Sequence, residues 1–169
     1  MKLCLAVLGS LMLFCSAAKA EPAESKQVDG FMAMAILTPI TQDELVTLWN
    51  TPRTESPHFA IWSKVQAGSY LSVVILVAGM TLQDGKASVN CNVLIHLPDG
   101  KTQDVDLGEC LGGPVTGPST DLVLARNFGL TPEAGFINHD LSIDVKVRDN
   151  FGDVEIDLHP SVNIVDAVK

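Results

Sequence analysis

Basic residues are scarce in this chain: 11 lysines and arginines stand against 20 aspartates and glutamates. A surface of that sign repels nucleic acid phosphates and anionic lipid headgroups, so neither is expected as a primary partner. The spacings that prearrange chemistry are missing as well. There is no C-x-x-C, no H-x-x-H or H-E-x-x-H, no G-x-S-x-G nucleophile turn and no D-x-[DN]-x-[DN]-G calcium loop. No internal repeat and no low-complexity segment appears, and a helical period is confined to one short stretch. These absences argue against a zinc site, a thioredoxin-like redox pair and the common serine hydrolases.

The first twenty residues, MKLCLAVLGSLMLFCSAAKA, read as a secretory signal. Lys2 is its short basic region, Leu3 to Ala18 its apolar run, and Ala18-Lys19-Ala20 its small-residue cleavage pattern. A lipoprotein anchored through Cys15 would need a small residue before that cysteine, where Phe14 stands. The apolar run is also shorter than the ~20 residues that span a bilayer. Cleavage after Ala20 would remove two lysines and no acidic residue, leaving 9 basic against 20 acidic side chains and a net charge of −11. It would also remove Cys4 and Cys15. The remaining pair, Cys91 and Cys110, would then lie in a compartment where disulfides persist, periplasmic or secreted.

Residues 21–28 show no apolar period and read as a flexible leader; residues 29–169 form one domain of ordinary size. FMAMAILTPI is expected as a strand. In TQDELVTLWN, Thr41 and Glu44 have the T-x-x-E spacing of a capping box, and Leu45, Leu48 and Trp49 share a face, so one short helix is expected, ending at Pro52. Beyond it the period is two. HFAIWSKV (58–65) reads as a strand, and Val73 to Ala78 is apolar on both faces, as in a central strand. Ala87, Val89, Cys91, Val93, Ile95 and Leu97 alternate with polar residues, which turns Cys91 inward.

Pro98-Asp99-Gly100-Lys101 supplies a hairpin turn. A three-residue loop centred on Gly100 puts Val105 opposite Ile95 and Cys91 opposite Glu109, and Cys110 reaches Cys91 only if the strand kinks at Gly108. LGGPVTGPST reads as a loop, followed by a short strand near Leu122 to Ala125 and a second loop over TPEAGFINH. In the closing hairpin, Ile143, Val145 and Val147 face Leu158, Ile156 and Val154 about a turn at 149–152, and Pro160 marks an edge or bulge. About seven or eight strands with one N-terminal helix predict an all-β, antiparallel, immunoglobulin-like sandwich; a closed barrel is the alternative.

Side chains able to do chemistry are dispersed. His58, His96, His139 and His159 are isolated in sequence, although residues distant along the chain can still converge. Asp99, Asp104 and Asp106 around one turn, with Asp149 and Asp153 around another, are weak calcium candidates, since acidic turns are usually only solvated. Trp49, Trp62 and Tyr70 would suit a sugar platform, but core packing is the expectation for both tryptophans.

The segments L-W-N with Pro52, VVILVAG, DGKASVNCNV, LPDGK and DLSIDVKVRDN together resemble a recurrent group of small secreted bacterial proteins with a PDG hairpin and no assigned activity. The resemblance spans most of the chain and implies a β-sandwich without catalytic residues. Many members place a cysteine after the glycine of the central strand, whereas Met80 follows Gly79 here, which leaves Cys91 to pair with Cys110. The resulting expectation is a non-enzymatic accessory or protein-binding module with no cofactor. It would work through a sheet edge or through the loop holding Gly108, Gly112, Gly113, Pro114, Gly117 and Pro118. A soluble ligand carrier, or a hydrolase assembled from distant loops, is the alternative.

Overall fold

The computed structural model describes residues 20–51 and 58–166. The signal expectation, with Cys4 and Cys15, and the helix stop at Pro52 fall outside those residues. Within them the chain runs β1 (Ala23–Val28), β2 (Phe31–Thr38), α1 (Gln42–Asn50), β3 (Lys64–Gln66), β4 (Leu71–Ala78), β5 (Lys86–His96) and β6 (Thr102–Pro114). It continues with β7 (Val123–Leu130), a 3-10 turn (Ala134–Phe136), β8 (Asp140–Asp149), β9 (Val154–Leu158) and β10 (Ser161–Val165). Two sheets result. One has four strands in the order β1-β2-β4-β7; the other has six, in the order β3-β10-β8-β5-β6 with β9 also paired to β8.

The fold is the all-β sandwich that the period-two pattern predicts. Its ten described strands exceed the seven or eight expected, and β3 pairs with β10 in parallel rather than antiparallel. The inner faces supply one core, in which Phe31, Leu37, Val73, Ile75, Val93, Ile143, Val145, Ile156 and Leu158 are buried. On the outer face of the four-stranded sheet, α1 buries Leu45 against Ile36, Val74 and Leu76, with Trp49 and Phe59 packed alongside. That second layer is why every residue of β4 is buried and why its sequence is apolar without alternation. The helix begins with the expected capping box: Thr41 accepts from Glu44 N–H while the Glu44 carboxylate accepts from Thr41 N–H.

Several local expectations are corrected. Residues 23–28 are a strand, not a flexible leader; β1 is hydrogen-bonded to β2 along its length but exposes its last four side chains, so no apolar period announces it. The strand expected over 58–65 begins only at Lys64. Trp62, outside any strand, is 50% exposed instead of packed in the core. The segment 111–114 is the end of β6, not a loop, and β7 runs on to Leu130.

Both hairpin registers shift by two residues beside their turns, which keeps Val105, Ile143, Val145 and Val147 on the inward face. Val105 faces Val93 because the three-residue loop is Pro98–Gly100, centred on Asp99. Gly100 N–H donates to the Leu97 carbonyl and Leu97 N–H to that of Lys101, with Gly100 at φ +81°. This is a type I turn followed by a left-handed residue, with proline where its fixed φ suits the turn. In the closing hairpin Val145 faces Leu158 and Val147 faces Ile156. The turn there starts one residue later because Asp149 is buried: its carboxylate accepts from Thr81 N–H (2.8 Å) and Phe151 N–H (3.2 Å). Pro160 interrupts β9 and β10 while its carbonyl keeps the ladder by accepting from Ile143 N–H.

Candidate functional site

The two long sides of the sandwich are finished differently. On one, β1 lies beside β9. The outward main-chain groups of β9 would form a free edge, but Lys26 Nζ donates to the Asp157 carbonyl (2.6 Å) and the Glu24 carboxylate accepts from His159 N–H. Glu21 and Ser161 add a further reciprocal pair, with Ser161 N–H donating to the Glu21 carbonyl and Glu21 N–H to Ser161 Oγ. Charged side chains thus close that side, a known device against unwanted strand pairing.

The opposite side, where β6 and β7 border their sheets, has no such closure: among the described residues no hydrogen bond joins the two strands. Asn150 N–H donates to the Ser88 carbonyl, so even-numbered residues of β5 bond to β8 and odd-numbered ones to β6. In β6 this directs the main-chain groups of Gln103 and Val105 to β5 and those of Thr102, Asp104 and Asp106 outward. No described strand pairs with them.

The length of β6 is itself set by β5. Thirteen residues lie along eleven, and two bulges absorb the excess, at Leu107 and at Cys110. Cys91 faces Gly108, not Glu109, and the kink at Gly108 (φ +58°) lets the bulged Cys110 turn inward. The disulfide closes there with Cα atoms 5.6 Å apart, a usual span. Of the six residues expected in a binding loop, Gly108, Gly112, Gly113 and Pro114 belong to β6, and only Gly117 and Pro118 lie between strands.

At the end of the open side lies a cavity of about 290 Å³, lined by Ile95, Leu97, Gln103, Leu130, Thr131, Pro132, Glu133, Phe136 and Leu141. Its walls are mainly apolar. Glu133 and Thr131 bring a carboxyl and a hydroxyl, and no histidine lines it. The half-buried Val105 and Leu107 of β6 and Val123, Phe128 and Leu130 of β7 continue the apolar lining along the opening.

A second polar constellation, invisible in the sequence, lies on the outer face of the six-stranded sheet. His159 follows the last residue of β9, in the link to β10, and His96 lies on β5, beside the β8 strand that carries Asp144. Asp144 binds both imidazoles, His159 Nδ1 at 2.9 Å through one oxygen and His96 Nε2 at 2.7 Å through the other. Burial alone would raise the Asp144 pKa, but the bonds from His159 and His96 outweigh it and hold the carboxyl below its ordinary value. Such a carboxylate orients imidazoles well. None of the three lines the cavity above, and among the described residues no hydroxyl is hydrogen-bonded to either ring.

The calcium candidates are dispersed and engaged. Asp99 accepts from the main chain and Nζ of Lys101, Asp104 from Asn92 and Asp106 from Gly108 N–H, while Asp153 pairs with Arg148. Among the described residues no group of three potential ligands converges. No protein-family model and no curated protein matches the chain.

Proposed function

We propose that this chain is a non-enzymatic extracytoplasmic module that binds an extended segment of another protein by strand addition to β6. The carrying observation is the contrast between the two sides: the β9 edge is capped by Lys26 and Glu24, whereas the outward main-chain groups of Thr102, Asp104 and Asp106 have no strand partner among the described residues. Main-chain pairing gives such a site affinity, and the apolar opening beside it gives side-chain selectivity. The Cys91–Cys110 disulfide fits an oxidising compartment. Together with the signal-like first twenty residues, it supports a periplasmic or secreted location.

The test is site-specific photocrosslinking in cells that export the protein. A crosslinker at Asp104 should capture a defined partner, and the same group at Asp157, on the capped edge, should not. Equal capture at both positions, or none at Asp104, would overturn the proposal. A second reading, a carrier of a small apolar ligand, is favoured by the cavity over Ile95, Leu130 and Phe136. Native mass spectrometry of freshly purified protein decides it: a stoichiometric small molecule supports the carrier, and its absence retires it.

A further inference from the structure

The geometry points to the chemistry of the segment that β6 accepts, an inference that rests on strand addition: a peptide alternating lysine or arginine with bulky apolar residues. Side chains of an added strand follow the alternation of the strand they join. Those opposite Thr102, Asp104 and Asp106 would stand on the outer face of the sheet, and those opposite Gln103 and Val105 would turn into the opening between the sheets.

The two faces differ sharply in character. Outward, β6 presents Asp104, Asp106 and Glu109, all exposed. Their hydrogen bonds come from neutral donors: Asn92, the Gly108 N–H and Ser88. Of the cations on the same face, Lys146 is engaged with Glu155 and Asp157 and Arg148 with Asp153 and Glu155, while Lys86 lies at the far end of β5 opposite Pro114 and Lys64 on β3, at the other edge of the sheet. Among the described residues no lysine or arginine answers the β6 carboxylates, and a partner strand bearing basic residues would. Inward, the residue opposite Gln103 would meet the cavity of about 290 Å³, whose apolar lining includes Ile95, Leu130, Phe136 and Leu141. That volume accommodates one large aliphatic or aromatic side chain. Acidic peptides would meet like charge, and small inward side chains would leave the cavity unfilled.

Synthetic peptides of about six residues, an ordinary strand length, provide the test by fluorescence anisotropy at low and high salt. A lysine–leucine alternating peptide should bind the native protein at least about tenfold more tightly than its glutamate–leucine and lysine–alanine counterparts. Its affinity should weaken with salt, and Asp104→Asn with Asp106→Asn should remove most of that salt dependence. Gln103→Phe, which fills the cavity from within, should weaken the lysine–leucine peptide and leave the lysine–alanine peptide unchanged.

Asp104→Pro deletes an outward N–H without touching the β5 ladder, so it should abolish binding in a protein that keeps its thermal midpoint. Equal binding of the lysine and glutamate peptides by the native protein would overturn the basic-partner inference while leaving strand addition standing. Undiminished binding by the Asp104→Pro protein would refute strand addition itself, and no binding of any peptide to the native protein would overturn both.

Discussion

Lys26 Nζ donates to the main-chain carbonyl of Asp157 at 2.6 Å, so a side chain of one sheet occupies a hydrogen bond that a further strand would make with the other. Glu24 does the same for His159 N–H. Replacing both, Lys26→Ala with Glu24→Ala, should cost about 1 kcal/mol, since each interaction is partly exposed. It should also expose β9 as a second pairing edge. Sedimentation velocity would show concentration-dependent self-association in the double variant and a single species in the parent. A double variant that stays a single species would mean that the caps do not guard this edge.

The Cys91–Cys110 bond closes a loop with a sequence separation of 19 and holds the bulged end of β6 to the core. Its removal by Cys91→Ala with Cys110→Ala should lower stability by roughly 3 kcal/mol through the chain entropy of the unfolded state. Urea titration of the two proteins measures this. Because the hairpin turn and most of the β5–β6 register lie outside the bulges, the far-UV circular dichroism spectrum should be unchanged. A bridge working as a redox pair would instead be reduced readily by mild thiols, at a rate measurable by alkylation and mass shift.

What the sequence makes legible follows from periodicity. The alternation from Ala87 to Leu97 places Cys91 inward, T-x-x-E marks the helix start, and the doubly apolar β4 announces cover on both faces. Local turn chemistry then decides register, and there parity survives while position does not. Pro98 belongs at the second position of a type I turn, which moves the loop centre from Gly100 to Asp99. The buried Asp149 delays the second turn for a tertiary reason, its bond to Thr81 N–H across the molecule. The edge strand β1 carries no apolar alternation to read. His96 and Asp144 come from two strands and His159 from the link between β9 and β10, so their meeting depends on sheet order, which spacing along the chain does not encode. The open β6 edge is hidden for the same reason. Glycine and proline in 108–118 signal a loop, yet β5 is long enough to hold the first part of that segment in its ladder.

Gly79 lies directly against the β1–β2 turn. A Cβ there would lie 1.9 Å from the Gly30 carbonyl oxygen, and its φ of +69° is left-handed. Gly79→Ala should therefore destabilise by about 3 kcal/mol or more, combining backbone strain with displacement of the β1–β2 turn. Gly85 is the control. Its φ is +73° with nothing within 4 Å of the added methyl, so Gly85→Ala should cost only the conformational part, about 1–2 kcal/mol. Similar losses for the two, read from denaturant midpoints, would refute the close approach as the cause.

Acid should weaken this fold partly through two carboxyls. Burial pulls the pKa of Asp144 upward, but hydrogen bonds from His159 and His96 outweigh it; for Glu24 burial is likewise outweighed, by the His159 N–H and by Lys26. Both groups are thus depressed in the fold relative to ordinary values of 3.8 and 4.5. A depressed carboxyl binds its proton more weakly in the folded chain than in the unfolded one. Its stabilisation is fully present above the unfolded value and is lost as the pH falls through the folded one. Since the Asp144 side chain is 38% exposed, solvent screening limits its share to about 1 kcal/mol or less. Asp144→Asn should lower stability near neutral pH by that amount and converge with the parent in acid. Urea titrations over roughly pH 6 to 3 read this as a shallower acid slope in the variant. Parallel curves at all pH values would show that the Asp144 carboxylate contributes nothing to the acid response, and would leave its contacts with the two histidines without energetic weight.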